Sequence, residues 1–490
     1  MKPNHIISKK SLIFLIIVLI FALLIFMVWE DAFHDEIKKM VGFLLTIFFV
    51  LMMFSIKIMR HNPLLFIFLG SFFTFLIGAI FIGAIEGYDL LYSYEHSIKL
   101  AVIRCLVLSI LGILTGALIC VIKNNVQTKK IRNDKNISYD FSILRSIALI
   151  MFYITIIPRF LQTIDIAINV VEESYISYYS TYTSSIPYII IKVGELNLLA
   201  LLLMFAVDCE KRKMVIPIIL SIIVSSISLL GGQRNVFVLD ILLLVYCLFY
   251  ANNRARNRLE KRWLNNRHAI VGIIIFPFLL YLLFYIGYWR NGISVEIGII
   301  DAIKSFFTIQ GGQVDFIAKS IVYKNIIWEQ NVPYTFYSFY DYLSQNIVSR
   351  IIFDIDKIGL YTAEYALKGN SLSATLYYII SPSSFLSGRG MGGNYIAELF
   401  IDFGEIGVYI GNVIIGIILV RIGDLKNKPW WITVILMIFI RWIIYIPRSS
   451  FFSWVVYGFS LTNIFFIIGV FIIYKIILNY KQKKYNWEMV

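Results

Sequence analysis

The sequence carries little charge for its length. Only 15% of its 490 residues are Asp, Glu, Lys or Arg, whereas 59% are hydrophobic and the mean hydropathy is +0.79. Soluble domains carry about 25% charged residues. The composition therefore excludes an ordinary soluble protein and indicates an integral membrane protein.

Cysteine is also scarce, and nucleotide-binding motifs are missing. The chain has four cysteines (Cys105, Cys120, Cys209 and Cys247) and no CxxC pair, which excludes a disulfide framework and a paired-cysteine metal site. No Walker A motif and no Rossmann glycine pattern is present, so the sequence gives no support for ATP-driven or nicotinamide chemistry. There is no internal repeat to support an inverted-repeat transporter.

Long apolar runs recur along the whole chain. Each is about 17 to 25 residues long, which is the length that a helix needs to cross the hydrocarbon core of a bilayer. We predict an all-α polytopic membrane protein with about twelve transmembrane helices. They are expected at 11–29, 40–57, 64–85, 100–122, 146–171, 186–207, 214–230, 235–251, 269–289, 400–421, 430–446 and 451–474.

Lys and Arg are concentrated in the N-terminal segment, in alternate loops and in the C-terminal tail, whereas the other loops hold slightly more acids than bases. Because positive residues accumulate on the cytoplasmic side, both termini are predicted to be cytoplasmic. The net charge of +14 is then a consequence of topology. The basic run 252–268 is interpreted as an anchor near acidic lipids, and we expect no nucleic-acid partner.

This topology divides the chain into three regions. Residues 1–289 would form nine transmembrane helices with short loops, and residues 394–490 would form three more and a cytoplasmic tail. Residues 290–393 are predicted to form one large external loop, between spans 9 and 10, with amphipathic or interfacial segments. Long ordered loops are usually functional, so we expect function in this one.

The large loop is rich in aromatic residues. Tyr337, Tyr340 and Asp341 lie in the stretch "YSFYDY", where tyrosine rings could stack on sugars and the carboxylate could accept hydrogen bonds from hydroxyls. We name these three as candidate sugar-binding residues. The alternative is an interfacial belt, because tyrosine favours the headgroup region of a membrane.

Charged residues inside the predicted spans lie mostly toward the outer ends, as Arg104, Asp165 and Asp240 do. Such residues are costly in a membrane and usually face an aqueous cavity or one another. The polar interior is therefore expected to open outward. Lys192 and Glu195 are three residues apart, and we predict that they form a structural ion pair.

Three arginines precede three predicted spans that run from outside to inside. Arg234 lies in "GGQR", Arg389 in "SGRGMGG" and Arg448 in "PRSS". A helix N-terminus offers unpaired N–H groups, and the arginine fork suits phosphate oxygens, so these are candidate diphosphate-binding residues. Arg290 and Arg441, for which we see no local partner, are added as candidates. The alternative is ordinary loop, cap and headgroup contacts.

Three acids follow the second of these motifs. Glu398, Asp402 and Glu405 have i, i+4, i+7 spacing, which predicts that one helix face carries all three. Glu398 or Asp402 could accept a proton from an attacking sugar hydroxyl, so both are candidate catalytic residues together with Arg389. The alternative is that acids in a first turn complement the helix dipole.

These motifs resemble a known family. "GGQR" before one span, a large late external loop, and "GRGMGGNYIAELFIDFGEIG" before the next span are similar to the Wzy-type oligosaccharide repeat-unit polymerases of bacteria, which make O-antigen and capsular polysaccharide. Arg234 matches the arginine of a Gly-Gly-x-Arg segment, and Arg389 and Glu398 fall in the late motif. Some members have a glycine eleven positions after an external arginine, and none of the candidate arginines here has one.

The resemblance implies a specific activity. A growing glycan would be transferred from its undecaprenyl diphosphate carrier onto a lipid-linked repeat unit, on the outer face of the cytoplasmic membrane. It also implies a GT-C-like glycosyltransferase that needs no metal and no cofactor. A flippase and a chain-length regulator of the same pathway are the implied partners.

Three alternative functions remain open at this stage. A lipid-linked oligosaccharide flippase would also have about twelve spans, but it should carry polar residues deep along a two-sided cavity. An O-antigen ligase usually depends on a histidine in the late external loop, whereas the external histidines here, His34 and His96, are in early loops. A non-enzymatic scaffold would leave the aligned arginines unexplained.

Overall fold

The computed structural model describes residues 9–28, 36–127, 140–172, 182–258, 260–289, 293, 296–327, 333–426 and 428–488. Over these ranges the regular structure is helical and contains no β-strand. The predicted all-α class is confirmed.

Ten helices of the described chain are long and apolar enough to cross a membrane, and two shorter apolar helices, Ser11–Met27 and Trp430–Ile443, lie where the first and eleventh spans are predicted. The chain is therefore a multi-pass membrane protein. The twelve helices are α1 Lys9–Met27, α2 Ile37–Ile58, α3 Leu64–Glu86, α4 His96–Lys123, α5 Phe141–Glu172, α6 Tyr188–Ala206, α7 Lys211–Leu230, α8 Arg234–Asn257, α9 Asn266–Trp289, α10 Tyr395–Ile422, α11 Trp430–Ile443 and α12 Ser453–Lys483.

Helices α4 and α10 pack closely at the centre of the bundle. Glycines allow the close approach: a Cβ atom on Gly116 would lie 2.1 Å from the carbonyl oxygen of Val413, and one on Gly416 would lie 2.3 Å from that of Ile113. Small residues serve this purpose between membrane helices because packing, rather than the hydrophobic effect, holds such helices together. The C-terminal part of α10 is thus packed closely against α4.

The N-terminal part of α10 folds back on the C-terminal part of the same helix. Gly404 has φ 64° and ψ −158°, a conformation that glycine adopts readily and other residues avoid. The Tyr395 hydroxyl donates to Oδ1 of Asn412 at 2.7 Å, although residues 17 positions apart would be about 25 Å apart along a continuous helix. Residues 395–403, here called the arm, therefore lie beside the residues that follow Gly404.

This reversal corrects one prediction. Glu398 and Asp402 lie on the arm, whereas Glu405 begins the segment after the break. The expectation that one continuous helix face carries all three acids is wrong, because Gly404 interrupts the helical period between the second and the third.

The region between α9 and α10 consists of short helices. The first two meet at a bend, Gly311 and Gly312, which enters the bundle: a Cβ on Gly311 would lie 2.1 Å from the Cβ of Ala79, about 10 Å inside the Glu86 end of α3. We call it the glycine bend. The helices of this region are Ile299–Gln310, Gly312–Val322, Lys324–Ile327, Tyr334–Phe336, Tyr337–Gln345, Ile347–Phe353, Ala363–Lys368, Leu372–Ile380 and Pro382–Leu386.

Candidate functional site

Arg448 lies inside the bundle, in the turn between α11 and α12. Its Nη1 donates to Oε1 of Gln310 at 2.7 Å, and its guanidinium carbon lies 5.4 Å from the centre of the Phe75 ring. Phe75 is about 16 Å inside the Glu86 end of α3 at the helical rise per residue. A charged group at such a depth is expensive, so Arg448 stays a candidate site residue.

The glycine-rich loop before α10 lies against this arginine. Gly388 and Gly392 have φ 89° and 79°, so the loop turns in ways that other residues resist. Nε2 of Gln313 donates to the carbonyl of Met391 at 3.3 Å, and a Cβ on Gly392 would lie 3.6 Å from Nε of Arg448. The "SGRGMGG" and "PRSS" motifs, which are about 60 residues apart, therefore meet at the glycine bend.

Arg389 has a different environment within the same loop. It is exposed, and its side chain has no hydrogen-bond or ion-pair partner among the residues that the structure describes. It lies six residues before the end of the loop at Tyr395, where α10 starts. Arg389 is thus available to a ligand at the mouth of the site, whereas Arg448 is held inside it.

Two backbone N–H groups at the start of α10 are already occupied. The Asn394 side chain accepts hydrogen bonds from the backbone nitrogens of Ile396 and Ala397. The sequence thus supplies its own cap for two of the N–H groups that were expected to be open to an anion. Arg448 likewise ends a short 3₁₀ turn, five residues before the α12 segment starts at Ser453. In the "SGRGMGG" and "PRSS" motifs, the arginine side chain is therefore a better candidate for anion binding than the helix N-terminus.

Glu398 is buried on the arm, with 1% of its surface exposed. Its Oε2 accepts a hydrogen bond from the backbone nitrogen of Phe451 at 2.9 Å. Phe451 is three residues after Arg448, so a single turn of chain, 447–451, holds both the interior arginine and the interior acid. The sequence named both residues but could not show that one turn connects them.

Tyr337 of the large loop lies beside this acid. Burial raises the pKa of Tyr337 to about 12; the charge of Glu398 adds to the rise, and hydrogen bonds with Ser371 and Ser450 oppose it. Tyr337 and Glu398 also share Ser450 as a hydrogen-bond partner. One predicted sugar-binding residue is therefore next to the predicted catalytic carboxylate.

The other two predicted sugar-binding residues differ from each other. Asp341 is half-buried, and burial raises its pKa. It lies near Tyr365, whose pKa is raised by burial and further by Tyr337 and Asp341. Tyr340 faces away and is half exposed. Tyr337, Asp341 and Tyr365 thus form one polar cluster over the arm, from which Tyr340 is separate.

Asp402 and Glu405 have partners of their own. Asp402 accepts three hydrogen bonds, from the backbone nitrogens of Tyr334 and Thr335 and from the Thr335 hydroxyl. It thereby fixes the start of the helix that carries Tyr337. Glu405 forms an ion pair with Arg104 at 2.9 Å. Of the three acids, Glu398 is the one whose partner belongs to the Arg448 turn.

Arg234 is the first residue of α8, as the motif predicts. Its Nη1 donates to the carbonyl of Leu283 at 2.9 Å, and it lines a cavity of about 180 Å³ together with Gln310. Gln310 also binds Arg448, so this glutamine lies between the two arginines. Arg290 lies outside the described residues.

Arg441 belongs to a separate environment. No partner is close to it in sequence, but Asp240 of α8 pairs with it at 2.8 Å. The predicted ion pair between Lys192 and Glu195 is confirmed, also at 2.8 Å. Among the described residues no cluster of three or more His, Cys, Asp or Glu side chains is suited to a metal ion.

Sequence reasoning missed Gln310 and Gln313. Both are buried at the glycine bend, and Oε1 of Gln313 has no hydrogen-bond partner among the described residues. A buried acceptor without a partner is rare and here is available to a ligand hydroxyl. The signal in the sequence is "QGGQ" (310–313), two glutamines around two glycines in an amphipathic stretch.

Comparison with known proteins gives one clear result. No curated protein and no solved structure is significantly similar to the chain. The family model described as O-antigen polysaccharide polymerase Wzy matches residues 11–481, nearly the entire chain. The chain therefore belongs to the Wzy family of O-antigen polysaccharide polymerases, which join glycan repeat units from lipid-linked oligosaccharides in a membrane.

Proposed function

We propose that this chain joins oligosaccharide repeat units carried on undecaprenyl diphosphate, at the outer face of the cytoplasmic membrane. It would act with a flippase and a chain-length regulator of the same pathway. The observation that carries the proposal is the turn 447–451, which holds Arg448 on Gln310 and, through the Phe451 nitrogen, Glu398. A cation for the leaving group and a carboxylate for the attacking group are thereby held by one short segment.

In the proposed reaction a hydroxyl oxygen of the acceptor sugar attacks the anomeric carbon of the donor glycan. A new glycosidic C–O bond forms, and the bond from the anomeric carbon to the diphosphate oxygen breaks. Undecaprenyl diphosphate leaves with the electron pair, and Glu398 takes the hydroxyl proton. Arg448 stabilises the negative charge that develops on the leaving oxygen, an effect that is large where water is excluded.

The remaining candidates have supporting roles in this proposal. Arg234, across Gln310, and the exposed Arg389 are further contacts for the diphosphate. Tyr337 and Asp341 contact the sugar next to Glu398, and Asp402 positions the helix that carries them. The partnerless Gln313 oxygen accepts a sugar hydroxyl. Arg441 is omitted because it is paired with Asp240.

The decisive experiment uses the purified full chain in lipid nanodiscs with a synthetic undecaprenyl-diphosphate oligosaccharide. A ladder of products that differ by one repeat unit is the expected result. A single transfer to another acceptor would identify a ligase instead. No product with active substrate would contradict polymerisation.

A further inference from the structure

A cavity that the proposed reaction does not use lies between α5, α6, α7, α8, α11 and α12. Its volume is about 520 Å³, within the range of roughly 300 to 1,000 Å³ that is typical of small-molecule sites. It contains neither Glu398 nor Arg448.

The cavity wall carries a fixed polar array. Nε and Nη2 of Arg441 both bind Oδ1 of Asp240, at 2.9 and 2.8 Å, and the Ser225 hydroxyl binds Oδ2 at 3.0 Å. Arg159 and Glu195 also line the cavity, so its two basic residues are matched by two acids. This balance favours a neutral polar ligand over the diphosphate that the sequence predicted for Arg441.

One polar group in the wall lacks a partner. The Ser221 hydroxyl of α7 is buried and has no hydrogen-bond partner among the described residues, although it lines the cavity. Buried hydroxyls are nearly always hydrogen-bonded, and one that is not calls for a missing partner. The unpaired group is therefore consistent with a ligand that brings its own hydroxyls.

An aromatic surface forms the mouth. The rings of Trp442 and Tyr457 stack at 3.9 Å with an angle of 16°, and Tyr457 is 48% exposed. A pyranose ring presents C–H groups on its faces and hydroxyls at its edge. Such a ring fits a site with an aromatic surface on one side and fixed polar groups on the other.

The mouth adjoins the helix that reaches the catalytic acid. The Tyr342 hydroxyl donates to the carbonyl of Phe459 at 3.0 Å, two residues after Tyr457. On the same short helix Tyr337 lies beside Glu398. A glycan that extends along this helix would reach from the carboxylate into the cavity.

We propose that this cavity is a second glycan subsite, which binds a neutral sugar ring of the lipid-linked oligosaccharide away from the reacting bond. The proposal rests on the proposed polymerase function for the identity of its ligand. Ser221, the Arg441–Asp240 pair and the Trp442–Tyr457 stack are its binding groups.

Ser221→Ala gives the sharpest test, because it deletes a hydroxyl that has no hydrogen-bond partner in the described part of the chain and so should not weaken the fold. The matched control is Ser226→Ala on the same helix, because Ser226 does not line the cavity and its hydroxyl already binds the carbonyl of Ile222. The probes are the repeat-unit oligosaccharide released from its carrier by mild acid and, separately, undecaprenyl diphosphate without sugar. Binding of each is measured to the full chain in nanodiscs.

Ser221→Ala and Tyr457→Ala should each weaken oligosaccharide binding by about three- to tenfold, while undecaprenyl diphosphate binds as in the wild type and Ser226→Ala changes neither. Unchanged oligosaccharide binding in both cavity variants, or equal weakening of both probes, overturns the subsite. If the wild-type chain forms no product ladder but the cavity variants selectively lose oligosaccharide binding, the subsite proposal stands and the proposed polymerase function is rejected.

Discussion

At the residue scale, the proposed site combines an arginine and a glutamate in the interior, where a membrane protein rarely holds ionisable side chains. Arg448 and Glu398 are both inside the bundle, and one turn of chain connects them. Interior charges act strongly because little water screens them. The chemistry of the site should therefore be most sensitive to these two side chains.

Removal of the two arginines should have different consequences. Arg448→Ala should lower kcat by about 100-fold, because an interior donor stabilises the leaving group. Arg389→Ala should chiefly raise KM, because the side chain is exposed at the mouth. Both variants should remain in the membrane and lose long-chain glycan, measured as ladder formation with synthetic substrate. Normal glycan lengths in Arg389→Ala would contradict its proposed contact.

Glu398→Gln should distinguish a catalytic role of the Glu398 carboxylate from a structural one. The amide oxygen can still accept the Phe451 hydrogen bond, whereas the proton acceptor is lost, so the rate should fall by about 100-fold or more with little change in thermal stability. Glu210→Gln, at an exposed ion pair with Lys213, is the control and should be fully active. Activity above a tenth of the wild-type rate would reject Glu398 as the base.

Asp341→Asn should stabilise the protein at neutral pH. Burial raises the folded-state pKa of Asp341 above its unfolded value of about 3.9, so folding favours the protonated form. The free energy of unfolding therefore decreases as the pH rises from the unfolded-state pKa through the folded-state pKa. An asparagine amide stays neutral and removes this decrease. Thermal unfolding should show a higher Tm than wild type at pH 7 and a smaller difference at pH 4. An equal difference at both pH values would contradict this cause.

The sequence could predict the charged residues of the site but not their neutral neighbours. Arg234, Arg389, Arg448 and Glu398 stand out because charge is rare in such a chain. Gln310 does not stand out, since its role depends on Arg448, 138 positions away. The partner of Arg441 is 201 positions away. Spacing along a helix carries no information about contacts of this kind.

At the element scale, α10 shows where helical periodicity fails. The apolar pattern predicts one helix here, whereas the structure has two helical segments within Tyr395–Ile422, on either side of Gly404. Because glycine is common within membrane helices, the presence of Gly404 in the sequence does not predict that the chain reverses there. The reversal depends on contacts such as that between Tyr395 and Asn412, which exist only after the chain has folded.

Gly404→Ala should disrupt the arm. A Cβ meets no atom within 4 Å at this position, so the cost arises from the positive φ alone and should be about 1 to 3 kcal/mol. Because the arm carries Glu398, polymer formation should fall with stability. Gly272→Ala, in α9 with equally open space, is the matched control and should be neutral or stabilising. Equal effects of the two substitutions would contradict the reversal.

At the scale of the whole molecule, the predicted topology places the large loop and the α10–α11 connection on opposite sides of the membrane. The four native cysteines are free and buried, so they should give little background labelling. Asp356→Cys should react with a membrane-impermeant maleimide on intact cells, whereas Lys426→Cys should react only after permeabilisation. Both positions are exposed, so equal labelling of the two would overturn the topology.

The turn 447–451 has a consequence for biosynthesis. Apart from Arg234, the groups assigned to the reaction lie between positions 310 and 451, and the backbone nitrogen that holds Glu398 belongs to the last of them. A ribosome would thus have inserted most of the bundle before the carboxylate gained its final hydrogen bond. Nascent chains would therefore be stably embedded in the membrane but inactive. They would consume no lipid-linked precursor until translation had passed Phe451.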